Sequence, residues 1–338
     1  MDAAADDSPL TVMDDQHSFK SLQHRKAFSR RRVLTRQSAL TRQSALTRRS
    51  GLTILELLVS IAVIGVLAGL VLPAIGSVRE TSRRVQCTDH LRELGLALQN
   101  HHITDNSLPS GWATDSAGQS AYGWAVMILP YLGQHGLAEC IEIEKPINDD
   151  RHALVRQTSL EMLLCPSDIT EPTFMLFQES EHDHDDHSRH VEISPGTDQI
   201  EPLAELAELP TANYIGMFGT IEPDFERPAP LGDGTFMENR HTRYRDFQRG
   251  LSVTMVVGER TMAQVPSTWL GIDMEGEDAV ARVVGAALEG INQPFADECD
   301  FSSRHPGGAN FLWGDGHVTF VTEHIDLRLY HESARLRR

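Results

Sequence analysis

The longest run of apolar and small residues extends from Leu57 to Val78 and contains 22 residues without a charged side chain. As a helix with a rise of ~1.5 Å per residue, it would cross the ~30 Å hydrocarbon core of a membrane. Beyond it, apolar residues return at steps of three and four, which predicts an amphipathic continuation packed on one side. The residues on that predicted face are Val85, Cys87, Leu91, Leu94, Leu98 and His101. One helix of about 50 residues is therefore expected, ending before Asn106.

From Trp112 onward the pattern changes to short apolar segments separated by turn-forming residues. We expect helices in residues 136–143 and 151–164, a buried strand in 253–259 and an antiparallel hairpin in 309–321. The hairpin is the clearest of these elements, because β-branched and aromatic residues flank Asp315 and Gly316, and Asp-Gly suits a tight turn. This part of the chain is expected to form a globular head.

Charge divides the chain at the start of the apolar run. Residues 1–51 carry a net charge of +5, and the remaining residues carry −23. The positive-inside rule places the basic leader in the cytoplasm and the C-terminal bulk outside. A head this acidic repels nucleic acid, which is therefore excluded as a partner.

Glu56 stands near the start of the apolar run, where an unpaired carboxylate in lipid is costly. Gly51 lies at the junction between the basic leader and this run. Cleavage after Gly51 would free the amine of Leu52, and in an assembled fibre this ammonium would neutralise Glu56 of a neighbouring subunit. The alternative is a plain signal anchor whose Glu56 lies at the membrane interface.

The segment GLTILELLVSIAVIGVLAGLVLPAI resembles the prepilin-type cleavage and methylation segment of type IV pilins and type II secretion pseudopilins. Gly51, Glu56 and Pro73 match positions of that pattern, whereas Leu52 stands where the family usually has Phe. In that family a membrane aspartic peptidase cuts after the Gly and the new N-terminus is methylated. The resemblance implies cleavage between Gly51 and Leu52, N-methylation of Leu52, and a role for Glu56 in methylation and assembly.

Short motifs extend the resemblance through the head. They are Cys87 with the following helix, Cys165-Pro166-Ser167-Asp168, Asn213-Tyr214, Gly258-Glu259-Arg260, and His305 followed after nine residues by Asp315-Gly316. Together they resemble a family of prepilin-like proteins whose head is a domain of unknown function with a C-terminal His-x(9)-Asp-Gly motif. The implied fold class is α+β, with a long N-terminal helix packed on a mostly antiparallel β-sheet head. The resemblance implies no particular ligand or reaction.

These observations divide the chain into three parts. They are a cleaved basic leader (1–51), a long helix (52–104) whose transmembrane part is about 54–78, and an extracytoplasmic head (105–338) with a His/Asp-rich insertion at about 178–200.

Candidate catalytic residues are few. His305 and Asp315 would serve as a metal pair or an acid–base pair, but a structural role is favoured. In that interpretation, Asp315 and Gly316 form the turn, and His305 forms a hydrogen bond with the loop backbone. The sequence has no nucleophile elbow, P-loop or H-E-x-x-H motif. We therefore expect that the protein is not an enzyme.

Candidate metal ligands fall into three groups. In the insertion, His182, His184, His187 and His190 lie among carboxylates and would bind a transition metal weakly, although a solvated loop is favoured. Asp233, Asp297, Glu298 and Asp300 are oxygen donors for calcium, but they form no calcium-loop pattern. The four cysteines, Cys87, Cys140, Cys165 and Cys299, include no C-x-x-C pair, so they suggest no zinc site. The sequence does not decide whether they form disulfides or remain reduced thiols. No cofactor is expected.

The leading hypothesis is a pseudopilin-like subunit of a type II secretion or type IV pilus-related fibre. It would be a single-pass protein of the inner membrane with a cytoplasmic N-terminus. Its partners would be prepilin peptidase, other pilin-like subunits and inner-membrane components of the secretion system. Two alternatives are a membrane-anchored ligand-binding protein that does not polymerise and an exported hydrolase that uses His305 and Asp315.

Overall fold

A computed structural model describes residues 53–168, 171–179, 203–224 and 228–337. Several of the predictions fall outside these ranges. They concern the basic leader with Gly51, then Leu52, and the insertion histidines His182, His184, His187 and His190.

The first element is a single helix, α1, from Ile54 to Asp105, which has 52 residues and a length of ~78 Å. At its start Glu56 accepts a hydrogen bond from the Thr53 amide (2.8 Å), and the Glu56 amide donates to Thr53 Oγ1 (3.2 Å). This reciprocal pair is a capping box. At its end Asn106 has a φ of 55°, a left-handed conformation that stops the helix. The predicted long helix and its end before Asn106 are confirmed.

The side chains of α1 have two different environments. Its apolar first part is exposed, and it is long and apolar enough to span a membrane. In its second part, the residues predicted to face the head are buried, with one exception. Val85 is 53 % exposed, so its prediction was wrong. Residues two apart differ by about 200° around a helix axis, which puts Val85 opposite Cys87.

Within the described residues the head contains eleven strands in three sheets. The strands are β1 (Trp112–Thr114), β2 (Ser120–Gly123), β3 (Thr173–Phe177), β4 (Glu205–Ala212), β5 (Tyr214–Gly219), β6 (Met255–Glu259), β7 (Ser267–Thr268), β8 (Gly271–Asp273), β9 (Val284–Ala286), β10 (Gly308–Trp313) and β11 (Val318–Thr322). The central sheet has the order β11-β10-β6-β5-β9, and the smaller sheets have the orders β1-β2-β8 and β3-β4-β7. The β5–β9 pair is parallel and the other strand pairs are antiparallel. The predicted α+β class with a mostly antiparallel head is confirmed.

Four short helices complete the head: α2 (Trp124–Ile128), α3 (His135–Ala138), α4 (Ala153–Arg156) and α5 (Leu327–Ala334). The predicted helices at 136–143 and 151–164 are reduced to single turns in α3 and α4. After α4 the backbone of Leu160 is extended, so the apolar spacing there reflects burial of separate turns rather than one helix face. The predicted hairpin is present as β10 and β11, paired from Gly308–Thr322 to Leu312–Val318.

Helix α1 packs closely on the β10–β11 hairpin. A Cβ atom added to Gly95 would lie 2.8 Å from Leu312 Cδ1, so the glycine permits this approach. Gln99 Nε2 donates a hydrogen bond to the backbone oxygen of Asp315 in the turn (3.0 Å). Leu94, Leu98 and Leu312 belong to one buried cluster. The second part of α1 is therefore part of the head's core.

Replacing Gly258 by Ala should destabilise the head. Gly258 lies in β6 under two phenyl rings, and an added Cβ would lie 2.6 Å from Phe311 Cε1 and closer still to Phe301. Overpacking of this kind costs about 1–3 kcal/mol. We expect a fall in Tm of the detergent-purified chain, measured by circular dichroism. As a control, Gly136→Ala adds a methyl to α3 with no atom within 4 Å, and it should leave Tm unchanged or higher. Equal melting of G258A and wild type would contradict this packing.

Candidate functional site

Motifs that are far apart in the sequence meet at one buried point in the head. Cys87 lies on α1, Cys165 in the loop before β3, Glu259 at the end of β6 and His305 in the loop before β10. All four residues are buried, and one donor atom from each lies within 4.8 Å of the others. We call these four residues the Cys–His–Glu cluster.

His305 Nε2 lies at the centre of the cluster. It is 3.1 Å from Cys87 Sγ, 3.5 Å from Cys165 Sγ and 3.6 Å from Glu259 Oε1. The two sulfur atoms are 3.0 Å apart. Two sulfurs and one carboxylate oxygen therefore surround a single imidazole nitrogen.

The other ring nitrogen of His305 contacts a carboxylate on α1. His305 Nδ1 is 2.6 Å from Glu80 Oε1. Glu80 also accepts hydrogen bonds from Ser167 Oγ at 3.0 and 3.1 Å, and it pairs with Arg83 Nη2 at 2.9 Å. Glu80 thus fixes the orientation of the imidazole ring and ties it to the loop that carries Cys165.

Strand pairing holds Glu259 in place. Its Oε2 accepts a hydrogen bond from the Asn310 amide (2.8 Å), and its Oε1 accepts one from Asn310 Nδ2 (2.9 Å). Asn310 lies in β10, which pairs with β6. The carboxylate therefore has two donors on one side and faces the cluster with Oε1.

Asn213 and Asp168 support the Cys165 loop. Asn213 Oδ1 accepts a hydrogen bond from the Cys165 amide (2.8 Å), and its Nδ2 donates to Asp168 Oδ2 (2.8 Å). Asp168 also accepts hydrogen bonds from Thr261 Oγ1 and the Met262 amide, both at 2.8 Å. These bonds connect the Cys-Pro-Ser-Asp and Asn-Tyr motifs to the chain that follows β6.

Arg260 has a separate, structural role. Its buried guanidinium donates to Ser267 Oγ (3.0 Å), to the Glu298 backbone oxygen (2.7 Å) and to the Ala281 backbone oxygen. Burial lowers the pKa of Arg260 to about 10. The side chain therefore links β7 to the segments around Ala281 and Glu298.

The electrostatics of the Cys–His–Glu cluster favour charge separation. Burial by itself lowers the pKa of His305, but hydrogen bonds to Cys165, Glu259 and Glu80 outweigh it and raise the pKa to about 10. The hydrogen bond from Cys87, with that of His305, lowers the pKa of Cys165 to about 6 despite burial. The same sulfur contact, with burial, raises the pKa of Cys87. The contacts therefore favour ionisation of one of the two adjacent thiols beside the imidazole.

The structure separates the two residues that the sequence grouped as a pair. His305 is buried and its side chain contacts other side chains, not the loop backbone that we expected. Asp315 is partly exposed and bonds the amide and the ring of His317 at 3.1 and 2.5 Å. Gly316, with a φ of 91°, completes the turn between β10 and β11. No hydrogen bond or ion pair joins His305 to Asp315 among the residues described.

The sequence left the grouping of the cysteines open. It showed no sign of a zinc site by the criterion of a local C-x-x-C pair. In the structure all four cysteines are free, and Cys87 and Cys165 are adjacent. Cys140 is exposed, while Cys299 is buried beside Asp224 (Sγ to Oδ1, 3.2 Å).

Glu80 was also missed as a site residue. One signal was present: Glu80 and Cys87 are seven residues apart, which places them two turns apart on the same helix face.

The four oxygen donors considered for calcium do not form one group. Asp297 and Glu298 lie with Glu222, and Glu298 also lies near Asp224 and Asp278. The other two have local partners. Asp300 accepts hydrogen bonds from the Leu288 and Glu289 amides, and Asp233 accepts bonds from Thr220 and pairs with Arg335.

Residues 76–328 match the model of a protein family described as "Protein of unknown function (DUF1559)". The chain belongs to this family. The matched region of the DUF1559 protein begins near the end of the apolar run and includes Glu80 and all four residues of the Cys–His–Glu cluster. No curated protein matches the chain. No solved structure matches it either.

The carboxyl groups around Glu298 should make stability depend on pH. Burial, then the charge of Asp297, raises the pKa of Glu298 to about 7, and burial raises that of Asp278 to about 6. These values exceed those of unfolded carboxyl groups, ~4. The folded state therefore holds these protons more tightly, and their contribution to stability rises as pH falls from about 8 toward 5.

Replacing Glu298 by Gln should remove part of this dependence. We expect E298Q to raise Tm by roughly 2–4 °C near pH 8, and by less near pH 5.5, relative to wild type. The measurement is the Tm of both proteins across this pH range. Glu139→Gln at an exposed position serves as the control. Parallel pH profiles for E298Q and wild type would rule out the effect.

Proposed function

We propose that this DUF1559 protein is a pseudopilin-like structural subunit of a type II secretion or type IV pilus-related fibre. The observation that carries the proposal is the division of α1 into two parts. From Ile54 to Leu72 and from Ile75 to Val78 the helix presents exposed apolar side chains, whereas from Cys87 to His101 one face is buried in the head. Exposed apolar surface of this size requires lipid or the apolar helices of other subunits. A helix that first anchors the subunit in the membrane and then packs against other subunits in a fibre would cover this surface in both states.

The proposed topology follows from charge. The basic leader stays in the cytoplasm, α1 crosses the inner membrane once, and the acidic head lies outside. Prepilin peptidase cuts after Gly51, and Leu52 receives the methyl group. The partners are other pilin-like subunits and the inner-membrane components of the secretion system.

The head has no catalytic function in this proposal. The reactive side chains of the Cys–His–Glu cluster are buried, with Cys87 at 0 % and His305 at 1 % exposure. In the part of the chain that the structure describes, these side chains have almost no contact with solvent. This supports a structural subunit over the hydrolase alternative.

Processing is tested by replacing Gly51 with Trp. The bulky side chain should block cleavage, so G51W should keep the full leader. The measurement is N-terminal mass analysis of protein purified from a host with prepilin peptidase. Wild type and the neighbouring control Ser50→Ala should both begin at methylated Leu52. Cleavage of G51W at the same bond would contradict the proposed processing site.

Assembly is tested at Glu56, where two roles have to be separated. The capping box with Thr53 needs only a hydrogen-bonding side chain, so Gln preserves it. Neutralising a neighbour's Leu52 amine needs the negative charge. We therefore expect Glu56→Gln and Glu56→Ala both to insert in the membrane and both to fail in co-assembly with wild type, measured by cross-linking.

Glu93→Ala, at an exposed position on the same helix, should co-assemble normally. If E56Q assembles and E56A does not, Glu56 serves only to start the helix. A wild-type protein that stays monomeric in the membrane would favour the ligand-binding alternative.

A further inference from the structure

The Cys–His–Glu cluster has the composition of a metal site. It offers two sulfur atoms, one imidazole nitrogen and one carboxylate oxygen, which are the atoms that bind zinc in proteins. Each comes from a different segment of the fold, and all four residues are buried. Calcium and magnesium take oxygen ligands only, so the two cysteines exclude them.

The spacing of the donor atoms suits a tetrahedral ion. With bonds of about 2.0–2.3 Å to zinc, neighbouring ligand atoms are roughly 3.3–3.8 Å apart. From His305 Nε2, Cys165 Sγ and Glu259 Oε1 lie at 3.5 and 3.6 Å, within this range. Cys87 Sγ is 3.1 Å from the same nitrogen and 3.0 Å from Cys165 Sγ. An ion would need the two sulfurs to separate by less than ~1 Å, a movement within the reach of cysteine side chains.

The surrounding hydrogen bonds independently point to a ligand. Metal-bound histidines commonly donate their second ring N–H to a carboxylate, which leaves the first nitrogen with its lone pair toward the metal. His305 has this arrangement, with Nδ1 2.6 Å from Glu80 Oε1 and Nε2 among the other donor atoms. Glu259 is likewise held by two donors from Asn310. Hydrogen bonds to residues outside the cluster therefore orient both the imidazole of His305 and the carboxylate of Glu259.

Burial argues against two alternatives. A disulfide between Cys87 and Cys165 would leave the Glu259 carboxylate and His305 Nε2 facing neutral sulfur. A pair of free thiols would leave one imidazole, that of His305, as the shared partner of two carboxylates, Glu80 and Glu259. Buried charges are costly unless they are paired or bind a metal. An ion engages all four donor atoms at once.

We propose that Cys87, Cys165, Glu259 and His305 bind one Zn²⁺ ion. Four protein ligands without an open position indicate a structural site, not a catalytic one. The ion would fasten α1 to the Cys165 loop, to β6 and to the loop before β10. This proposal does not depend on the fibre role, because a tethered monomer would use the same site.

The test is the zinc content of the full-length chain, purified in detergent without chelator and with a histidine-free tag. Mass spectrometry of the metal should give one zinc per chain for wild type. Cys87→Ser, Cys165→Ser and His305→Gln should lose it. Cys140→Ser, at the exposed cysteine, is the matched control and should keep it.

A second measurement avoids variants that fail to fold. Wild type loaded with Co²⁺ in place of Zn²⁺ should show a charge-transfer absorption of two thiolates. Removal of zinc by a chelator should lower Tm by roughly 5–10 °C, the size expected for a ligand at about a hundred times its Kd. Glu80→Gln should weaken zinc binding about 10- to 100-fold, whereas the exposed Glu93→Gln on the same helix should not.

Three outcomes would overturn the proposal. One is that wild type binds no metal after zinc is added and that peptide mass analysis finds a Cys87–Cys165 disulfide. Another is metal-free wild type with both thiols reactive after denaturation. The third is zinc that stays bound in the double variant C87S/C165S, because the ion would then lie elsewhere. Failure of fibre assembly with zinc retained would contradict only the proposed function.

Discussion

The burial of one face of α1 between Cys87 and His101 is the constraint on which the head depends. Leu91, Leu94 and Leu98 are each at most 3 % exposed, and burying one such side chain stabilises the fold by about 1.5–3 kcal/mol. The contact is close because Gly95 has no side chain where Leu312 packs. The head therefore has no complete core without this part of the helix. Since the same helix carries the exposed apolar run, the proposed membrane anchoring and the folding of the head depend on one element.

The helix also places polar groups beside the core, and the short motifs of the head supply their hydrogen-bonding partners. Cys87 and Glu80 enter on α1, and they meet Cys165, Glu259 and His305 from the head. Behind these residues, Asn310 donates to Glu259, and Asn213 accepts from the Cys165 amide and donates to Asp168. The motifs are therefore parts of one buried polar network. Glu259 and His305 contact the helix residues or each other, and Asn213 and Asp168 fix the loop in between.

The sequence predicted the elements whose signals are local. The bounds of α1 followed from an apolar run, a three- and four-residue period and the Asn at position 106, a residue type that commonly follows the end of a helix. The β10–β11 hairpin followed from alternation around Asp-Gly. The Cys–His–Glu cluster has no local signal, because Cys87 and Cys165 are 78 residues apart and His305 lies 140 residues further on. Only the pairing of β10 with β6, and the packing of α1 beside them, brings these side chains together. Val85 is a different kind of error, because a position two residues before Cys87 lies on the opposite side of a helix.

The cluster also limits how α1 and the head can be joined. In the proposed topology the cysteines face an oxidising compartment, where paired thiols form disulfides unless a ligand holds them. A disulfide and a zinc ion would both link α1 to the Cys165 loop. The ion adds a divalent cation beside Glu259, whose cationic partner in the cluster is otherwise the His305 ring, and it uses the orientation that Glu80 imposes on His305. The buried carboxylate and the oriented imidazole are therefore the features that distinguish coordination from oxidation, and the sulfur atoms alone do not.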